Sequence, residues 1–305
     1  MSRNIYFHQN PNAVPATKGF VLNPQISGGD FWSVSGSGNY NAMLVELKHQ
    51  FSHQFMADAQ FAWSKSMDNS SAPYSEQDYP YNLSLNYGRS DYNVSRAVKI
   101  YGMWQPVFFR GDKGWAEKVL GGWSLSGILN LHTGFPWSPV VSVQGGNLYC
   151  GQCGYSQLLP AAYLGGAGSS TSNDAFKSAT SSNYPSNLNP DGSSKYFSTP
   201  SYTAYNCDTC YGTALPQSPG VHRNSLTGPG YRDVDMTFAK AFGLPKMPVL
   251  GEDAKLEFRV DAYNVFNNLN LDPNRISTNV GSSNLGTISA ALAARTVSMS
   301  ARFSF

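Results

Sequence analysis

Residues Ala294–Phe305 read ARTVSMSARFSF. Val297, Met299, Ala301, Phe303 and Phe305 fall on one parity, and Thr296, Ser298, Ser300, Arg302 and Ser304 on the other. Successive side chains of an extended chain point to opposite faces, so this stretch is a strand with one apolar and one polar side. It stops on an aromatic residue.

The same period recurs upstream. Met43, Val45 and Leu47 oppose Glu46, Lys48 and Gln50. Phe55, Ala57, Ala59, Phe61 and Trp63 oppose Asp58, Gln60, Ser64 and Ser66. Val94, Val98, Ile100 and Trp104 share a face that Arg96 interrupts. Trp123, Leu125, Leu129 and Leu131 oppose Ser124, Ser126, Asn130 and His132. Val234, Met236, Phe238 and Phe242 oppose Asp233, Asp235 and Thr237, and Leu256, Phe258, Val260, Ala262 and Phe266 oppose Lys255, Glu257, Arg259 and Asp261. A further stretch near Asn4–His8 alternates weakly. These strands run to roughly ten to thirteen residues, against about five or six in soluble sheets. A tilted strand needs about nine to eleven to cross a bilayer. Phe55, Trp63, Trp104, Trp123, Phe266 and Phe303 sit near strand ends, as the aromatic girdles of a membrane barrel do.

The connections alternate in length. Phe51–His53 and Gly243–Asp253 are short and Pro106–Leu120 is medium, whereas Asn69–Tyr92, Val140–Gly230 and Asn267–Leu292 are long. With Phe305 on the periplasmic side, every short connection falls there and every long one outside, the asymmetry of outer-membrane barrels. The expected fold is therefore all-β, part of an antiparallel transmembrane β-barrel of about seven or eight long strands. The last strand closes the barrel or joins its seam. A large soluble β-sandwich is the rival, since it also alternates, but it has no reason to sort its loops.

Bulk properties agree. Of 305 residues 41% are hydrophobic and 13% charged, about half the charge of an ordinary soluble domain. No run is long and apolar enough for a transmembrane helix. A net charge of +2 gives no reason to expect a nucleic-acid partner. The first residues, MSRNIYFHQNPNAVPATKGF, lack the features of a secretory signal.

NYNAMLVELKHQFSHQFMADAQFAWSKSMD (39–68), LGGWSLSGILNLHTGFPWSP (120–139), HRNSLTGPGYRDVDMTFAKAF (222–242) and LEFRVDAYNVFNNLNL (256–271) resemble barrel strands of Oar-like TonB-dependent transporters. The resemblance covers most of Asn39–Pro139 and Val221–Phe305. It implies a barrel on the order of 22 strands with a plugged lumen, preceded by a signal peptide, a plug and a TonB box that are not in this sequence. The whole chain, 1–305, then reads as one C-terminal barrel segment of a longer exported protein. The implied partners are outer-membrane lipid, the barrel assembly machinery reading Phe303 and Phe305, TonB through those other parts, and a substrate at the external loops.

Candidate site residues fall into two groups. Glu46, Lys48, Asp58, Lys99, Asp233, Asp235, Lys255, Glu257, Arg259, Asp261 and Arg302 are expected to face the lumen, where they either pair across strands or form a polar path. CGQCG (150–154) and CDTCYG (207–212) place Cys150, Cys153, Cys207 and Cys210 in the long external loop of about 144–229. This spacing suits a zinc site in a reducing compartment, and disulfides in an oxidising one; free thiols are the third reading. The five histidines are scattered. No catalytic triad or phosphate-binding loop stands out, so neither an enzyme nor a cofactor is expected. The Tyr-, Asn- and Ser-rich segment 181–206 suits either ligand contact or plain solvation. Three functions are thus in play: TonB-dependent transport, a surface-interaction barrel without import, and a secreted soluble binding module.

Overall fold

The protein is described by a computed structural model over residues 3–9, 29–52, 54–71, 83–107, 119–143, 157–163, 197–198, 222–244, 254–282 and 284–304. Its strands, in order, are β1 (Arg3–Gln9), β2 (Gly29–Gly36), β3 (Gly38–Ser52), β4 (Phe55–Asp68), β5 (Gly88–Arg89), β6 (Arg96–Trp104), β7 (Trp123–His132), β8 (Pro136–Trp137), β9 (Val140–Val143), β10 (Gln157–Pro160), β11 (Ala162–Tyr163), β12 (Phe197–Ser198), β13 (Leu226–Thr227), β14 (Tyr231–Gly243), β15 (Lys255–Tyr263) and β16 (Thr296–Ser304). Long alternating runs make the long strands. Their lengths range from nine residues in β6, β15 and β16 to fifteen in β3, a wider spread than the sequence suggested.

The seven long strands form one antiparallel wall in the order β16–β15–β14–β7–β6–β4–β3. The weakly alternating segment near Asn4–His8 is a strand, but it does not join the wall. β1 pairs with β2 in a separate two-stranded sheet. The turn after β3 lies between Ser52 and Phe55, one residue later than expected, with Gln54 at φ 61°. Among the described residues the wall is open, with β3 and β16 at its edges, and Phe305 lies outside those residues.

Register keeps the two faces separate across the wall. One row on the apolar face runs Phe55–Trp104–Leu125–Phe238–Val260–Met299 through six strands. A row on the other face runs Glu46–Gln60–Lys99–Asn130–Asp233 through five. A one-residue slip anywhere would swap the faces. The apolar face is not covered by protein: Leu47 is 73%, Trp63 60% and Met299 79% exposed. A contiguous bare surface of this kind needs a lipid or protein cover.

All three long connections leave from the same end of the wall: residues 69–95, 133–230 and 264–295. The apolar core lies there too. Trp137, Pro139, Ala161, Leu226, Val280, Leu285 and Ile288 are buried. β8 pairs with β13, which zips together the two roots of the 133–230 connection. Gly134 permits this zip, because a Cβ there would collide with the Gly228 carbonyl. Val140 then bridges to Asn279, joining that connection to the third one.

Candidate functional site

The polar face and the loop-bearing rim hold the chemistry. Register places all eleven charges singled out in the sequence on one face of the wall. Three come together: Lys48 Nζ lies 3.1 Å from Glu46 Oε1 and 3.2 Å from Asp58 Oδ2. Tyr101 donates to Asp58 Oδ2 at 2.8 Å and Gln60 to Glu46 Oε1 at 3.2 Å. Arg259 and Asp261 form a second group, 2.8 Å apart, with Thr237 donating to Asp261 at 2.6 Å. Glu257 and Arg302 are cross-strand neighbours, as are Lys255 and Ser304. Lys99 lies between Gln60 and Asn130. Asp233 accepts from Tyr231 at 3.0 Å, and Asp235 accepts from the Asn264 amide at 2.9 Å. The charges thus form separate small clusters across the face. Cys150, Cys153, Cys207 and Cys210 lie outside the described residues.

The rim is built from residues that the strand pattern does not single out. Asp68 ends β4 and is 1% exposed. Arg223 donates from Nη1 to Asp68 Oδ1 at 2.5 Å and to its carbonyl at 3.0 Å, and from Nη2 to Ser71 at 2.6 Å and Asp91 at 2.9 Å. Arg89 donates to the Asn224 carbonyl (2.6 Å), the Thr227 hydroxyl (2.7 Å) and the Leu226 carbonyl (2.8 Å). Asn224, at φ 55°, donates from Nδ2 to the Arg89 carbonyl (2.7 Å) and to Asp91 (2.6 Å). Two connections more than 130 residues apart in sequence are thereby tied to the end of one strand. Burial would raise the Asp68 carboxyl, but the bonds from Arg223, Ser90 and Ser71 outweigh it and hold its pKa below the ordinary value. Arg89 has only neutral acceptors, and burial lowers its pKa; a guanidinium stays charged regardless.

A cleft of about 360 Å³ opens beside this cluster, lined by Met67, Tyr87, Arg89, His222, Arg223 and Asn224 among others. Gly88 lies in its wall because a Cβ there would strike the Arg223 carbonyl. The asparagines of NVFNNLN (264–270) are structural. Asn264 and Asn267 take positive φ, Asn264 bonds the Asn268 backbone in both directions, and Asn270 pairs with both backbone groups of Arg232.

A continuous apolar face, a polar face opposite it and long loops gathered at one end are what a strand-built membrane wall requires. The family model for an outer membrane beta barrel domain matches residues 2–298. The chain belongs to that family. No curated protein and no solved structure is significantly similar to it. The outer membrane β-barrel therefore resides in the bacterial outer membrane. In outer-membrane barrels the apolar face meets lipid, the polar face lines the interior and the long loops stand outside.

Proposed function

We propose that this outer membrane β-barrel is the wall and external loops of a TonB-dependent transporter of the Oar-like group, a non-enzymatic receptor that captures its substrate outside. The observation that carries the reading is the interior face. Among the described residues the seven strands leave both edges unpaired, so closure takes strands beyond these seven and gives a wider barrel. The face is also wet and charged, with Lys48 and Arg259 side chains about half exposed. A small barrel fills its interior with its own side chains, whereas a large one holds a channel or a plug. The resemblance of the strand sequences adds the TonB-dependent class. The ordered loop roots and their cleft give a substrate a first place to bind.

The rival is a barrel whose loops bind surface partners without import. The intact mass and tryptic peptides of the natural protein, taken from the outer-membrane fraction, separate the two. Peptides of a plug and a TonB-binding segment on the same polypeptide support transport. A mature protein that carries strands and loops but no plug refutes it and leaves the surface-interaction barrel.

A further inference from the structure

Charge is distributed unequally between the faces of the wall. The strand carboxylates Glu46, Asp58, Asp233, Asp235, Glu257 and Asp261 all lie on the interior face. The lipid face carries cations and no carboxylate along these strands, and the cations sit at the ends. Lys240, at the periplasmic end, is 6% exposed and donates to the Gly121 carbonyl, with Nζ 5.4 Å from the Trp123 ring centre and 5.0 Å from that of Phe242. At the external end the same face presents Lys65 on β4, Arg96 on β6, Arg232 on β14 and Arg295 just before β16. All four are exposed. None has a carboxylate within ion-pair distance among the described residues; Arg295 reaches only the Val265 carbonyl at 3.5 Å.

The four lie on one line. Rows perpendicular to the strands can be counted from register. Lys65 is one row outside the Trp63–Arg96 pair, Arg232 is in the Leu131–Val98 row one further in, and Arg295 is one row deeper again. Across the five strand steps from β4 to β16 the cations therefore descend three rows, or six residues. The periplasmic aromatics descend in the same sense: Phe55 and Trp104 share a row, Trp123 is one row lower, and Phe242 and Phe303 are two rows lower. At ~3.3 Å per residue and ~4.8 Å per strand these slopes correspond to a tilt of roughly 30–40°, close to the 35–45° of outer-membrane strands. A line oblique to the strands by the tilt angle is level in the membrane. Each cation is eight to ten residues from the periplasmic aromatic on its own strand, or ~20–25 Å of height at that tilt, the thickness of the apolar band.

We propose that Lys65, Arg96, Arg232 and Arg295 form a level belt that binds the phosphates of the glycolipid in the outer leaflet. The belt lies where the acyl region ends, faces outward, and has no carboxylate within ion-pair distance among the described residues. Trp63, 60% exposed and paired with Arg96, lies against the acyl chains just below it. Guanidinium groups suit phosphate because they offer planar, two-pronged donation.

The test uses the natural full-length protein in neutral detergent, titrated with diphosphoryl lipid A and followed by tryptophan fluorescence. Phosphatidylcholine and inorganic phosphate serve as comparison probes. Binding to the diphosphoryl lipid is expected, with an affinity loss of about fivefold per cation replaced by Gln. The fourfold Lys and Arg replacement by Gln then loses at least two orders of magnitude, while R96K with R232K and R295K, which keeps the charge but not the two-pronged donation, loses clearly less. If the fourfold variant does not assemble, R96Q and R232Q singly carry the test at about fivefold each. Equal affinity in parent and variants overturns the proposal. So does a parent that prefers the lipid to phosphatidylcholine by less than threefold. Displacement by millimolar inorganic phosphate also overturns it, because it identifies an anion site and not a lipid belt.

Discussion

Replacing Arg223 by Ala removes the cation from a buried carboxylate. The Asp68 side chain is 1% exposed and that of Arg223 18%, while the other acidic partner, Asp91, is 61% exposed. Breaking a buried pair from one side costs about 3–5 kcal/mol. Ser71 still donates to both Asp68 oxygens, at 3.0 and 3.1 Å, which places the cost near the lower bound, about 3 kcal/mol. That is on the order of a hundredfold in a local opening equilibrium. Asp91→Ala touches an exposed pair and costs about 0–1 kcal/mol, below about fivefold. The assay is amide hydrogen exchange by mass spectrometry on the assembled protein, read on peptides covering Gly88–Asn93 and Asn224–Thr227. Arg223→Ala should accelerate exchange there about a hundredfold and leave Phe55–Trp63 unchanged. Equal effects of the two variants would refute the reasoning, and so would acceleration in the wall peptide, since Arg223 would then hold the sheet and not the rim. Acid should act through the same pair. The Asp68 pKa is lowered in the folded state, so its contribution is present above the ordinary Asp value of about 3.9 and is lost as pH falls through the lower folded value. Intrinsic-rate-corrected exchange at the rim should stay flat from pH 7 to about pH 5 and rise only below about pH 4.

Three further outcomes are expected. Met299→Arg, on the most exposed part of the apolar face, should cost about 2–4 kcal/mol in urea titrations of folding into vesicles, whereas Ser298→Arg on the other face should change the midpoint little; equal costs would mean that the apolar face does not meet lipid. Gly88→Ala should push β5 away from the Arg223 segment at a cost of about 1–3 kcal/mol, visible as faster exchange of the same rim peptides with the wall intact. Asn270→Ala removes two bonds to Arg232, of 2.9 and 2.8 Å, and should raise exchange at the external end of β14 by the equivalent of about 1–3 kcal/mol.

How far the sequence could be read follows from the range of the forces involved. Parity is local: Val297, Met299 and Ala301 announce their face without reference to any other strand, and so do Leu256 and Phe258. Each strand of the wall was legible for that reason, as was the sorting of loops by length. The rim was not. Asp68, Arg89 and Arg223 are polar residues in unremarkable loop sequence, and only the β8–β13 zip brings Arg223 back to β4. The only local hint was Gly88 next to Arg89. Lys240 is equally illegible, because a cation on an apolar parity reads as a fault until Trp123 and the Gly121 carbonyl are seen beside it.

Arg96 shows the same limit more sharply. In sequence it is an interruption of the apolar face on one strand, and nothing relates it to Lys65, Arg232 or Arg295. The phase of one strand against the next is a long-range quantity, set by ladders such as Trp63–Arg96 and Arg232–Leu131. Once those ladders are known, four separate irregularities fall on one oblique line parallel to the aromatic row below it. The agreement of the two slopes matters more than the presence of any single cation. Charges scattered by chance on an exposed face would have no reason to follow the tilt that the aromatic residues define independently. Both rows respond to the same boundary, the plane of the membrane, and that plane is written into the strands only in combination.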